Sequence, residues 1–257
     1  MSTRLLRLNN KFKEVGGTNG DFRIVIPVTD LDNVAKITLL SASIPRLFGN
    51  VYKGISTMRY QLDGSPVRTV VVPDGQYTAT ELAAVLNDLV VGMDITYVDN
   101  HFVFFADFND LTIFPGDDTI NSYIGIPDGL FVIWKATDIA PNVPQLQGPL
   151  AIYIQSNAIA NNSCLDVLTN GLALPVVVPI NISSVPYGFN IGWEAPTELE
   201  WVLKYTQFPD GQTLRDIDVR ICDVYGNVLS FPDNAYSDLV FKISYSAKDT
   251  SDNYSLY

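Results

Sequence analysis

A single histidine, two cysteines and three tryptophans limit the chemistry open to this 257-residue chain, while 28 Asp and Glu supply carboxylates in plenty. His101 follows Asp99-Asn100 and precedes Phe102-Val103-Phe104-Phe105, a turn running into a strand. Zinc sites and Ser-His-Asp machinery need further ligands or partners that one imidazole does not supply. His101 is therefore read as a hairpin-edge residue.

Paired carboxylates hydrolyse glycosides without histidine, and Asp117/Asp118, Asp216/Asp218 and Glu194/Glu198/Glu200 qualify by residue type. Asp216 and Asp218 alternate with Ile217 and Val219, which makes them the solvent side of a strand, and Asp117-Asp118 follow Pro115-Gly116 in a turn. No acidic turn has the spacing of a calcium loop with its distal Glu. The chain also lacks a phosphate loop, a dinucleotide fingerprint and a G-x-S-x-G elbow. No catalytic residue, cofactor-binding residue or metal ligand is expected, and no cofactor. Cys164 and Cys222 fit no zinc or redox spacing and are expected to be free thiols. Trp134, Trp193 and Trp201 are the tryptophans available to stack sugars, but packing in a core or interface is the preferred reading for each.

Charge points outward rather than to a reactive centre. Sixteen Lys and Arg against 28 Asp and Glu leave a net charge of -12, so nucleic acid or an anionic membrane is not attracted to the protein as a whole. Arg4, Arg7, Lys11 and Lys13 are the exception: they precede every acidic residue and run into Gly16-Gly17-Thr18-Asn19-Gly20. Residues 1–20 are expected to form a flexible basic arm, either a solvated tail that aids solubility or a tether for a partner or packaged nucleic acid. Deletion of residues 1–13 is expected to spare the fold. The start lacks the apolar core of a signal peptide, and no apolar run is long enough to cross a bilayer, so synthesis in the cytosol is expected.

The elements that must position these residues are mostly strands, short Val-, Ile-, Phe- and Tyr-rich runs separated by Gly, Pro, Asn and Asp. Phe22, Ile24, Ile26 and Val28 share one face. A second strand runs from Lys36 to Ile44, and later ones from Leu150 to Ile154, Val176 to Ile180 and Glu200 to Tyr205. Near the end Ile217, Val219 and Ile221 face inward, Gly226-Asn227 turns into a strand at Val228–Phe231, and Leu239, Phe241, Ile243 and Tyr245 line a last strand. One helix is predicted at 79–90, from the capping box Thr78-Ala79-Thr80-Glu81 and the spacing of Leu82, Val85, Leu86 and Leu89. With strands at Arg68–Val72, Asp94–Val98, His101–Ala106 and Leu111–Phe114 it predicts an inserted α+β unit, 56–135, within a two-sheet sandwich formed by 1–55 and 136–257.

The order of segments carries a resemblance. Ser41 to Tyr52 (SASIPRLFGNVY) is followed by Val72-Pro73-Asp74-Gly75-Gln76-Tyr77-Thr78, then Glu81 to Asn87, then aromatic strands closing at Tyr123-Ile124-Gly125-Ile126. This pattern, with the run from Ile217 to Phe231 and the strand from Leu239 to Tyr245, resembles the penton, or minor capsid, proteins of virophages, polinton-like elements and related double-jelly-roll viruses. Gly125-Ile126 stands where that family is expected to have Gly-Phe. The resemblance implies a mainly β fold, a single jelly-roll β-sandwich with a small inserted α+β unit. It further implies a homopentamer at an icosahedral vertex, contacts with the double-jelly-roll major capsid protein, and a place in the virion. Arg4, Arg7, Lys11 and Lys13 are then candidates for binding nucleic acid or other minor capsid proteins. A host-recognition or carbohydrate-binding fibre head, and a carbohydrate-active hydrolase, are the alternatives from other classes.

Overall fold

The computed structural model describes residues 3–26, 32–106, 110–127, 129–133, 137–159, 165–167, 173–195 and 206–245. They fall into two units, Met1–Leu47 with Ala151–Tyr257, and Phe48–Leu150. The first unit opens with β1 (Thr3–Asn9), β2 (Asp21–Val25) and β3 (Val34–Pro45). The second holds β4 (Thr57–Leu62), β5 (Arg68–Val71), α1 (Ala79–Leu89), β6 (Met93–Val98), β7 (His101–Ala106), β8 (Leu111–Phe114), β9 (Phe131–Ile133) and β10 (Thr137–Ile139). The first unit resumes with β11 (Ala151–Gln155), β12 (Leu165–Val167), β13 (Ala173–Asn181), β14 (Asn190–Glu194), β15 (Thr206–Gln212), β16 (Asp216–Cys222) and β17 (Asp238–Tyr245).

Alternation of apolar residues sets the first unit, because side chains two apart share one face of a strand. Phe22 and Ile24 in β2, Ile217, Val219 and Ile221 in β16, and Leu239, Phe241 and Ile243 in β17 are all buried; Tyr245 is half-buried. The strands pair antiparallel in two sheets, β1-β17-β3-β14 with β15 also on β3, and β12-β13-β11-β16-β2. β14 takes the stretch of β3 from Ser41 to Pro45 and β15 the stretch from Val34 to Ile37, so together they act as one interrupted strand. Labelling β1, β2, β3, β11, β13, β14, β16 and β17 as B to I gives the sheets B-I-D-G and C-H-E-F. That is the jelly roll, two Greek keys wound into one sandwich.

Three expectations differ from this structure. The flexible basic arm is instead β1, whose seven residues all pair with β17. Only Leu8 is buried there and Leu6 half-buried, and an edge strand tolerates such polar composition because one flank meets water. The Gly16–Gly20 run ends in a close approach, since a Cβ at Gly20 would lie 2.1 Å from the Leu229 carbonyl oxygen. Val228–Phe231 is not a strand: β2 and Gly20 occupy that flank of β16 as far as Ile221, leaving one bridge, Cys222 with Val228. Val28 and the expected strand at 200–205 lie outside the described residues.

In the second unit α1 begins at the expected capping box. Thr78 Oγ1 accepts from the Glu81 N–H at 3.3 Å, and Glu81 Oε2 accepts from the Thr78 N–H at 2.8 Å. These bonds, the backbone one first, hold the Glu81 carboxyl below its ordinary value, with burial opposing. Leu82 and Leu86 are fully buried; Val85 and Leu89 pack partly against the same core. The helix shares that core with sheets β5-β4-β8-β9 and β10-β7-β6, through Met58, Tyr60, Ile95, Phe102, Phe104 and Ile113. This unit runs from 48 to 150, wider than 56–135, because β10 pairs with β7 and because Asn50 joins the flanking segments. Asn50, 1% exposed, donates from Nδ2 to the carbonyls of Tyr77 (2.8 Å) and Leu146 (3.0 Å) and accepts from the Tyr77 N–H (2.9 Å).

Candidate interaction surfaces

Of the carboxylates singled out by type, Asp118, Asp216 and Asp218 each have a local task. Asp118 accepts from Arg59 Nη2 at 2.7 Å, and Gly116 makes room for that guanidinium, since a Cβ there would lie 2.3 Å from Arg59 Nη1. Asp216 pairs with Arg23. Asp218 accepts from the N–H groups of Asn157 (3.0 Å) and Ala158 (2.8 Å), from Asn157 Nδ2 (2.8 Å) and from Ser156 Oγ (3.3 Å). Burial is the largest single influence on Asp218 and opposes its charge, but these bonds together outweigh it and hold the carboxyl below its ordinary value. Glu194 is exposed on β14, and Glu198 and Glu200 lie outside the described residues.

His101 sits where the hairpin reading put it. Asp99 and Asn100 have φ of 49° and 66°, as a two-residue hairpin turn requires, and His101 Nδ1 lies 2.9 Å from the Asp99 carbonyl oxygen. Cys222 is buried; that burial, and next the Asp223 carboxylate, push its thiol up to about 12. Trp193 is half-buried on β14, while Cys164, Trp134 and Trp201 lie outside the described residues. Among the described residues no three His, Cys, Asp or Glu side chains gather to hold a metal, and no helix is long and apolar enough to cross a membrane.

The four basic residues lie along β1 and the turn after it. Arg7 grips Asp238 with two parallel hydrogen bonds, Nε to Oδ1 at 3.1 Å and Nη2 to Oδ2 at 2.9 Å, and Asn9 Nδ2 adds a third at 2.7 Å. The Arg7 bonds come first in lowering the Asp238 carboxyl, against a smaller cost of burial. Arg4 lies 5.8 Å from the Tyr245 ring centroid, Lys13 Nζ donates to Asn19 Oδ1 at 2.8 Å, and Lys11 is exposed. Asn10 was not marked by its sequence. It is fully buried, donates from Nδ2 to the carbonyls of Asn19 (3.2 Å) and Ala235 (3.1 Å), and accepts from the Ser237 N–H (2.9 Å).

Outward surfaces remain. A recess of about 440 Å³ is lined by Arg7, Ser41, Ser43, Gly192, Trp193 and Glu194, among others, across all four strands of the B-I-D-G sheet. Its floor is open because Gly192 lacks a side chain and a Cβ there would meet nothing within 4 Å. Exposed apolar side chains follow the amino-terminal edge (Leu5, Phe12, Val15) and the loops before β14 and β17 (Tyr187, Phe189, Tyr225, Tyr236). In the second unit, Val98, Phe105 and Ile139 are exposed on the sheet β10-β7-β6.

These surfaces belong to a jelly-roll protein in which Asp118, Asp216 and Asp218 serve turns and ion pairs. Among solved structures the chain is similar to the crystal structure of selenomethionine-labelled mavirus penton protein, with a TM-score of 0.45 and 10% identity, over 96% of this chain and 100% of that one. No family model and no curated protein matches the sequence.

Proposed function

We propose that this chain is a non-enzymatic structural subunit of an icosahedral viral capsid, five copies of which form the vertex and contact the surrounding double-jelly-roll major capsid proteins. The observation that carries this reading is the B-I-D-G and C-H-E-F strand order, with a separate unit inserted between strands D and E. An antiparallel sandwich is stiff and offers flat flanks to neighbours. The segment order from Ser41 to Ile126 adds the resemblance to penton proteins. Charge gives no competing role, because the candidate acids with described partners, Asp118, Asp216 and Asp218, stabilise an ion pair or a turn. Contacts around a fivefold axis join two different patches of each copy, so the surface needs no self-complementary face. The amino-terminal basic residues would serve nucleic acid or another minor capsid protein alongside the partners that Arg7 and Lys13 already hold.

Mass measurement of the purified protein, alone and with the major capsid protein, tests this. A fivefold multiple of the 28.4 kDa chain in either condition, and the chain in purified particles, are expected. A protein that stays monomeric in both and is absent from particles refutes it. The recess beside Trp193 favours a second reading, a carbohydrate-binding head of the virion, in which the indole edge and Glu194 would meet sugar hydroxyls. Glycan binding that is lost in Gly192→Trp, which fills the recess, would select that reading.

A further inference from the structure

We propose that the outward face of the sheet β10-β7-β6 is a docking surface for the amino-terminal edge of a second copy of this chain. The inference rests on the assembly reading above and names the two patches that meet. Register fixes which residues share this face. Asp94 lies opposite Phe105, Thr96 opposite Val103, and Val98 opposite His101, while Ile139 lies beside Val103. The alternate residues, Met93, Ile95, Phe102 and Phe104, belong to the core. A sheet face open to water is normally polar. This one leaves Val98 52%, Phe105 40% and Ile139 55% exposed, with Asp94 on the same face and Asp99 at the tip of the β6–β7 hairpin. Apolar surface rimmed by charge marks an interaction site.

The amino-terminal edge has the complementary character. Leu5 and Phe12 are 71% and 73% exposed and Val15 is fully exposed, and Arg7, Lys11 and Lys13 are interleaved with them. The second unit carries four Lys and Arg against twelve Asp and Glu, two thirds of the net charge of -12. Two acidic faces repel, as do two basic edges, so the contact that both surfaces favour is head to tail between copies. Nucleic acid would cover the basic edge and leave the acidic face bare, whereas another copy covers both.

The test uses the full chain. Lys11→Glu and Asp94→Lys are each expected to weaken self-association by about fivefold or more, and the double variant to recover most of the loss, as exchanged charges across one contact should. Raising salt should weaken the wild-type assembly. A zero-length carbodiimide, applied to a mixture of isotopically light and heavy protein, is expected to join Lys11 of one copy to Asp94 of another. Rings whose affinity ignores both substitutions and yield no such link would overturn this contact while leaving the vertex reading intact. A wild-type protein monomeric with and without shell protein would defeat the vertex reading, and this contact with it. Assembled rings in which nucleic acid shields Lys11 and Asp94 stays open to reagent would overturn it in favour of a nucleic-acid surface.

Discussion

Asp218 shows how a residue with the look of a catalyst becomes a fastener. Its carboxylate gathers two backbone N–H groups and two side-chain donors from residues 156–158, and so fixes the turn that leaves β11. Its folded pKa is depressed, so the stabilisation is present above the ordinary carboxylate range and is lost as pH falls through the folded value. Asp218→Asn is expected to lower stability at neutral pH by about 1–3 kcal/mol, the scale for hydrogen bonds to a charged group. It should also flatten the fall in stability on acidification below the ordinary carboxylate range, measured as denaturant midpoint against pH. The solvent-side position of Asp218 was legible from its alternation with Ile217 and Val219. Its partners were not, because they lie some 60 positions away and only the paired sheet brings them close.

At the scale of the element, legibility follows the strength of the local signal. The helix declared itself through four residues of capping box and a 3.6-residue apolar stripe, and it ends at Leu89, within one residue of expectation. Leu86→Ala should cost about 2–5 kcal/mol, read as a fall in thermal or denaturant midpoint, because the site is fully buried in a core cluster. β1 gave no such signal. Its alternation is weak, Leu8 is its one buried residue, the buried Asn10 that follows it is polar, and its pairing partner β17 lies more than 220 positions away. Removing residues 1–13 is therefore expected to destabilise the fold, because it strips strand B from the sheet and leaves the Ala235 carbonyl and the Ser237 N–H without their Asn10 partner. A truncated protein with an unchanged denaturation midpoint would show that β1 adds nothing. Charge substitutions are the cleaner probe of what the basic residues bind.

For the whole molecule, composition and strand spacing announced a β-sandwich interrupted by an α+β segment, but the allotment of strands to two sheets needed long-range pairing that no single window contains. The jelly roll emerges only when β1, β17, β3 and β14 are seen side by side. The segment 48–150 has its own core and its own sheets, so it is expected to fold alone as a cooperative unit, checked by a sigmoidal denaturation curve and dispersed amide resonances of the isolated fragment. Asn50 matters here in another way. By tying the segment that enters at residue 50 to the one that leaves at Leu146, it closes the two ends of the unit on each other as a short turn would. A foreign fold whose own termini lie side by side meets the same requirement, which makes residues 48–150 a segment that an engineer can exchange whole.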